Sequence, residues 1–110
     1  MITILFAIVG ISYAADLDDV ALYEGQNEEF CGRVVSIHLP ETESHPNVLS
    51  VERKLNIVIW ENDIKNIEIS PTSLVGNRVC FSGRVTKYKE NHQITVRLHD
   101  QIRIKTNDTQ

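Results

Sequence analysis

Apolar and polar positions alternate along most of this chain, and the alternation breaks at glycines, prolines and short polar runs. Gln93–Leu98 shows it most plainly. Ile94, Val96 and Leu98 fall on one side, and Gln93, Thr95, Arg97 and the following His99 on the other. Side chains alternate across a strand, so this stretch predicts a half-buried β-strand. Glu28–Leu39 (EEFCGRVVSIHL) and Arg78–Tyr88 predict two longer strands. Each is interrupted by a glycine, Gly32 or Gly83, where a strand coils or bulges. Val48–Val51 predicts another strand, Glu52–Lys54 a charged turn, and Leu55–Trp60 (LNIVIW) the most apolar strand. Gln101–Ile104 extends an edge. Asp16–Tyr23 predicts a short helix, capped by Asp16 or Asp18, with Leu17, Val20 and Ala21 on one stripe and Gly25 as its stop. Pro40–Pro46 is a polar loop, Glu61–Ser73 a short helix or irregular link bounded by Pro71, and Lys89–His92 a tight hairpin turn. Thr106–Gln110 is a polar tail.

Together these elements predict an all-β fold: a five-stranded OB-fold Greek-key barrel. A short helix links strands 3 and 4, and another precedes strand 1. Another small barrel or a sandwich fragment is the runner-up. An internal echo supports the barrel. Gly25, Gly32, Arg33 and Val34 recur as Gly76, Gly83, Arg84 and Val85, as expected of two kinked strands lying side by side. Each echoing segment carries one of the two cysteines, Cys31 and Cys80, at the same strand parity. Antiparallel pairing would set one against the other.

Composition places the chain in a compartment. Ile2–Ile11 (ITILFAIVGI) is an uncharged apolar run ending in Ser12-Tyr13-Ala14-Ala15, a small-x-small pattern of the kind signal peptidase accepts. It is short for a membrane span, which needs about 20 apolar residues. A buried strand or core helix is the bland alternative, and no Lys or Arg precedes the run. The expected organisation is a signal peptide at 1–15 and one domain at 16–110, periplasmic or secreted, with no integral membrane segment in the mature chain. A small exported domain gains from a disulfide, and Cys31–Cys80 would contribute about 4 kcal/mol by loop entropy. Two buried free thiols are the alternative.

The net charge of −4 hides an asymmetry. Residues 16–29 hold six acids and no base. From Arg78 to Lys105, seven bases (Arg78, Arg84, Lys87, Lys89, Arg97, Arg103, Lys105) face only Glu90 and Asp100. A local basic patch can attract polyanions even on an acidic protein.

From Val20 to Ile104 the chain resembles a group of small exported bacterial OB-fold proteins described as nucleic-acid-binding candidates. The resemblance rests on CGRV at Cys31–Val34, the IVIW strand with its following acid and Asp63, and Leu74-Val75-Gly76 after a proline. It continues through VCFSGRVTKY at Val79–Tyr88 and QITV followed by DQIRI at Asp100–Ile104. The chain departs from that group at Pro46–Ser50, where Pro-Thr-Phe-Leu-Asn and then glycine are usual, and at Glu90-Asn91, where glycine is common.

An OB surface comprises strands 2 and 3 with the 1–2 and 4–5 loops, and single-stranded nucleic acid needs stacking rings and cations there. The candidate ligand residues are Arg53 and Lys54 in one loop, Lys87, Tyr88 and Lys89 at the hairpin, and Arg84 and Arg97 on outward strand positions. Arg84, Lys87, Tyr88, Lys89 and Arg97 should cluster. Solvated surface is the plain alternative for each. Phe30 and Phe81 read as core. Trp60 either stacks on a ligand or caps the barrel against the helical link, with capping favoured because the link follows at once. His38, His45, His92 and His99 lack tight metal-ligand spacing, and no nucleophile elbow, acid–base pair or phosphate loop appears. The expectation is a non-enzymatic binding module without cofactor. It binds single-stranded nucleic acid or another polyanion weakly and without sequence preference. The alternative is a protein-interaction or structural module of the cell envelope.

Overall fold

The computed structural model describes residues 14–42 and 44–105, so the expected signal peptide lies almost wholly outside the described residues. The all-β expectation holds. Seven strands are hydrogen-bonded in the order β5-β6-β3-β2-β1-β4-β7. They are β1 (Asn27–His38), β2 (Asn47–Val51), β3 (Leu55–Ile59), β4 (Arg78–Arg84), β5 (Thr86–Tyr88), β6 (Asn91–Thr95) and β7 (Ile102–Ile104).

Strand β1 organises the molecule. Its first half, Asn27–Arg33, pairs antiparallel with β4, and its second half, Val34–His38, pairs antiparallel with β2. The change of partner coincides with a register shift between Val34 and Ser36. An irregularity of this kind bends a strand and raises its twist. The kink was expected at Gly32, three positions earlier. Gly32 has another task. A Cβ there would come within 2.7–2.8 Å of Leu17 Cδ1, Val51 Cγ1 and Glu52 Oε2. Its hydrogen lets the N-terminal helix and the β2–β3 turn close over β1.

Five strands were expected and seven segments are found. The Arg78–Tyr88 strand is divided at buried Val85, whose N–H and C=O bond to Gln26 and Gly25 rather than to a neighbouring strand. Before the break the chain pairs with β1, and after it β5 pairs with β6. Strand β6 runs parallel to β3, and β7 covers the other side of β4. Leu98, expected inside, is 56% exposed. The chain leaves the sheet after Val96, and Gln101 Oε1 accepts the amides of Arg97 and Leu98. Asn91 and His92 belong to β6, so Lys89 and Glu90 alone turn the hairpin, with Lys89 at φ 59°.

The N-terminal helix is a 3₁₀ helix, Leu17–Tyr23, and Asp16 caps it by accepting from the Asp18 amide. Leu17 and Val20 are its buried face. The link between β3 and β4 is a 3₁₀ turn, a single α-turn (α1, Ile64–Ile67) and a second 3₁₀ turn starting at Pro71. Ile67 and Leu74 are buried there. The core joins them to Phe30, Leu49, Ile57, Phe81 and Ile94. The inward row Ile37, Leu49, Ile57, Ile94 runs straight across four strands through its cross-strand pairs.

A candidate ligand groove on the outer face

The opposite faces of the same strands carry a different set. Asn56 pairs with Gln93, Val48 with Val58 and with His38, and Tyr88 with Asn91. Directly paired residues share a face. This outer face is the floor of a groove of about 810 Å³. One wall is the β1–β2 loop, including Glu41, Thr42, Ser44 and His45. The other is the β5–β6 hairpin with Tyr88 and Lys89. Val48, Val58 and Trp60 give the groove apolar surface, while Asn56, Asn91 and Gln93 supply amides. The volume lies within the range of ordinary ligand sites.

Two rings are accessible in this groove. Trp60 is 37% exposed and Tyr88 59% exposed. Capping was favoured for Trp60. Instead its side chain lines the groove while Ile64 and Ile67 of the link pack against the core. The signal was its parity, opposite to Ile57 and Ile59. Lys89 places its ammonium 5.4 Å from the Tyr88 ring centroid, an attraction of about 0.5–1 kcal/mol at an exposed site.

Of the seven candidate ligand residues, Tyr88 and Lys89 line the groove. Lys87 pairs with His92 and faces the other side of the hairpin. Arg84 lies opposite Asn27 on β1, and Arg97 follows the end of β6. Arg53 occupies the β2–β3 turn at φ 61°. Lys54, in the same turn, is held by Asp18 of the N-terminal helix. That hydrogen bond and charge raise the Lys54 pKa above its ordinary value. Of the grouped residues, Tyr88 and Lys89 share the groove and Lys87 faces the other side of the hairpin. The groove residues missed, His38, Asn56, Asn91 and Gln93, are polar positions on β1, β3 and β6 that carry no distinctive spacing.

The acidic stretch is engaged by side chains from the β2–β3 turn and from the C-terminal third. Besides Asp18–Lys54, Glu24 meets His92 at 3.1 Å, and Glu29 binds Arg103 through two hydrogen bonds of 3.0 and 3.2 Å. The Glu29 contact also raises the Arg103 pKa. Cys31 and Cys80 are direct cross-strand partners joined as a disulfide, with Cα atoms 3.9 Å apart. The Glu29 carboxylate lies within 4.8 Å of their sulfurs. With the sulfurs bonded to each other, this trio offers no thiolate to a metal.

No family model matches the sequence, and no curated protein matches it. Among solved structures, the hypothetical protein ygiW from E. coli superposes with a TM-score of 0.53 at 17% identity, covering 86% of this chain and 91% of that one. At that identity the likeness concerns the fold alone.

Proposed function

We propose that this chain is an exported, non-enzymatic OB-fold binding module that lays an extended, ring-bearing ligand across the groove between the β1–β2 loop and the β5–β6 hairpin. The observation that carries the reading is the presence of two accessible rings, Trp60 and Tyr88, in one groove on the β2–β3 face. That face and those two loops are where OB barrels bind. Barrel closure is supported by the strand pairing. β1 is shared between β2 and β4, β6 runs parallel to β3, and Val85 alone separates β4 from β5. Export is supported by the Ile2–Ile11 run and the cysteine pair. No described helix is long and apolar enough to cross a membrane. In the β1–β2 loop, Ser44 Oγ and Thr42 Oγ1 lie 3.3 and 3.1 Å from His45 Nδ1. This is an exposed loop cluster, and we assign it no chemistry.

Single-stranded nucleic acid is a second reading, favoured by Lys89 beside Tyr88. Lys89 is the only Lys or Arg in the lining, and Glu41 opposes it. Each phosphate neutralised on a single strand contributes a slope of about −0.7 in log K against log salt. Binding by this groove should therefore be weak and its slope close to that of a single contact. Anisotropy of labelled oligothymidylate at two salt concentrations tests this reading. A steep slope would place the contacts on the Arg84, Lys87 and Arg97 surfaces instead.

A further inference from the structure

The outer face of the β1–β4–β7 sheet carries a row of cations. Arg33 on β1 is the direct cross-strand partner of Arg78 on β4. Ile104 of β7 pairs with Val79, so the next residue, Lys105, falls beside Arg78, and its N–H donates to the Arg78 carbonyl. Directly paired residues share a face, and neighbouring strands lie about 5 Å apart. The exposed side chains of Arg33, Arg78 and Lys105 thus stand side by side across about 10 Å of sheet. Arg33 Nη1 donates to the Gly76 carbonyl at 2.5 Å, which holds the guanidinium beside the start of β4. Arg103, two residues from Lys105 on the same face, is neutralised by Glu29. Among the described residues, Arg33, Arg78 and Lys105 enter no ion pair. Glu52 accepts the Arg33 amide, but its carboxylate lies against Gly32 on the inward face.

Like charges placed directly opposite on a sheet are destabilising, so folding supplies no reason for this row. We infer that it is a docking face for an anionic phospholipid bilayer. The row crosses an open sheet face, so a plane of phosphates meets its three side chains together. Guanidinium groups bind phosphate oxygens through paired N–H donors. Val35 and Val75 border the row and are 41% and 38% exposed. Each is one residue from the Val34–Gly76 backbone bond, next to the carbonyl that Arg33 holds. Apolar side chains beside cations suit the headgroup boundary of a bilayer. A single phosphate ion is disfavoured, because separated cations on an open face gain together only from a multivalent surface. Single-stranded nucleic acid is disfavoured because it needs stacking rings, and the accessible Trp60 and Tyr88 lie in the groove.

The test sediments the mature protein with vesicles of equal parts phosphatidylglycerol and phosphatidylcholine, and with vesicles of phosphatidylcholine alone, at low and high salt. The expected result is binding to the anionic vesicles only, released at high salt. Arg33→Gln, Arg78→Gln and Lys105→Gln should each weaken it about fivefold, the value of one basic residue near an anionic leaflet. Arg97→Gln, an equal loss of charge beyond the end of β6, should leave it unchanged. Melting curves confirm that the variants fold. Absence of vesicle binding, equal binding to both vesicle types, or binding that ignores all three row substitutions would overturn the inference. Displacement by inorganic phosphate, where chloride of equal ionic strength has no effect, would overturn it in favour of a free phosphate. Salt-sensitive binding of oligothymidylate through these three residues, without vesicle binding, would overturn it in favour of nucleic acid. None of these outcomes bears on the groove, which lies on β2, β3 and β6.

Discussion

Glu29 grips Arg103 through two hydrogen bonds, 3.0 and 3.2 Å long, on the same face of the β1–β4–β7 sheet that carries Cys31 and Cys80. The pair ties the acidic N-terminal region to the basic C-terminal one, Glu24–His92 does the same elsewhere, and Asp18–Lys54 joins the acidic region to the β2–β3 turn. The charge asymmetry of the sequence is therefore a map of contacts within the fold as much as a ligand signal. Exposed pairs of this kind add little to stability, because water and salt screen them.

The disulfide closes a separation of 49 residues. Thiol labelling of denatured, unreduced protein should find no free cysteine. Replacing both Cys31 and Cys80 by serine should cost about 4 kcal/mol in chemical denaturation. Two reactive thiols in the unreduced protein would contradict the pairing.

Gly32→Ala should destabilise the fold by about 1–3 kcal/mol, the usual cost of forcing a methyl group into packed surroundings. The added Cβ would meet Leu17, Val51 and Glu52 at under 3 Å. Gly25→Ala meets no atom within 4 Å, yet it forces an alanine to φ 85°, so its cost comes from backbone strain alone. Equilibrium urea unfolding of the two variants separates crowding from strain. An unaffected Gly32→Ala would refute the close approach.

Gln101→Leu should cost about 1–3 kcal/mol. The amide donates to the carbonyls of Ser82 and Thr95 and accepts from the N–H groups of Arg97 and Leu98. It fastens the end of β6 to β4. Hydrogen exchange should accelerate first at Arg97 and Leu98, and uniform loss of protection would point to a different role.

How far the sequence was legible follows from where its signals lie. Alternation placed Ile94 and Val96 inside, and parity set Cys31 against Cys80. Both depend only on local pattern and one pairing. Leu98 was misplaced because its alternation continues past the point where Gln101 draws the chain out of the sheet. The split at Val85 was hidden because nothing in Arg84-Val85-Thr86 is a turn signal; the break arises from bonds to Gly25 and Gln26. The groove was half legible. Tyr88 and Lys89 sit beside a recognisable turn, whereas Trp60, Asn56 and Gln93 come together only once β3 lies parallel to β6.

The Asp18–Lys54 contact predicts a pH effect of known sign. Asp18 raises the Lys54 pKa in the folded protein. The pair's contribution to stability is therefore complete below the unfolded lysine value, about 10.4, and is lost as pH rises through the higher folded value. Both side chains are exposed, so the effect is small and screened by salt. A titration of the Lys54 side chain by NMR should show a midpoint that falls on Asp18→Asn. An unmoved midpoint would show that the contact is absent in solution.

The most direct test of the groove is a chemical-shift map. Side-chain amide signals of Asn56, Asn91 and Gln93, with the Trp60 indole N–H, are followed during titration with oligothymidylate. The account predicts that a bound ligand shifts these four together with the backbone of the β5–β6 hairpin, and leaves Arg53, Arg84 and Arg97 unmoved. Shifts centred on those arginines, with Trp60 and the three amides silent, would contradict it.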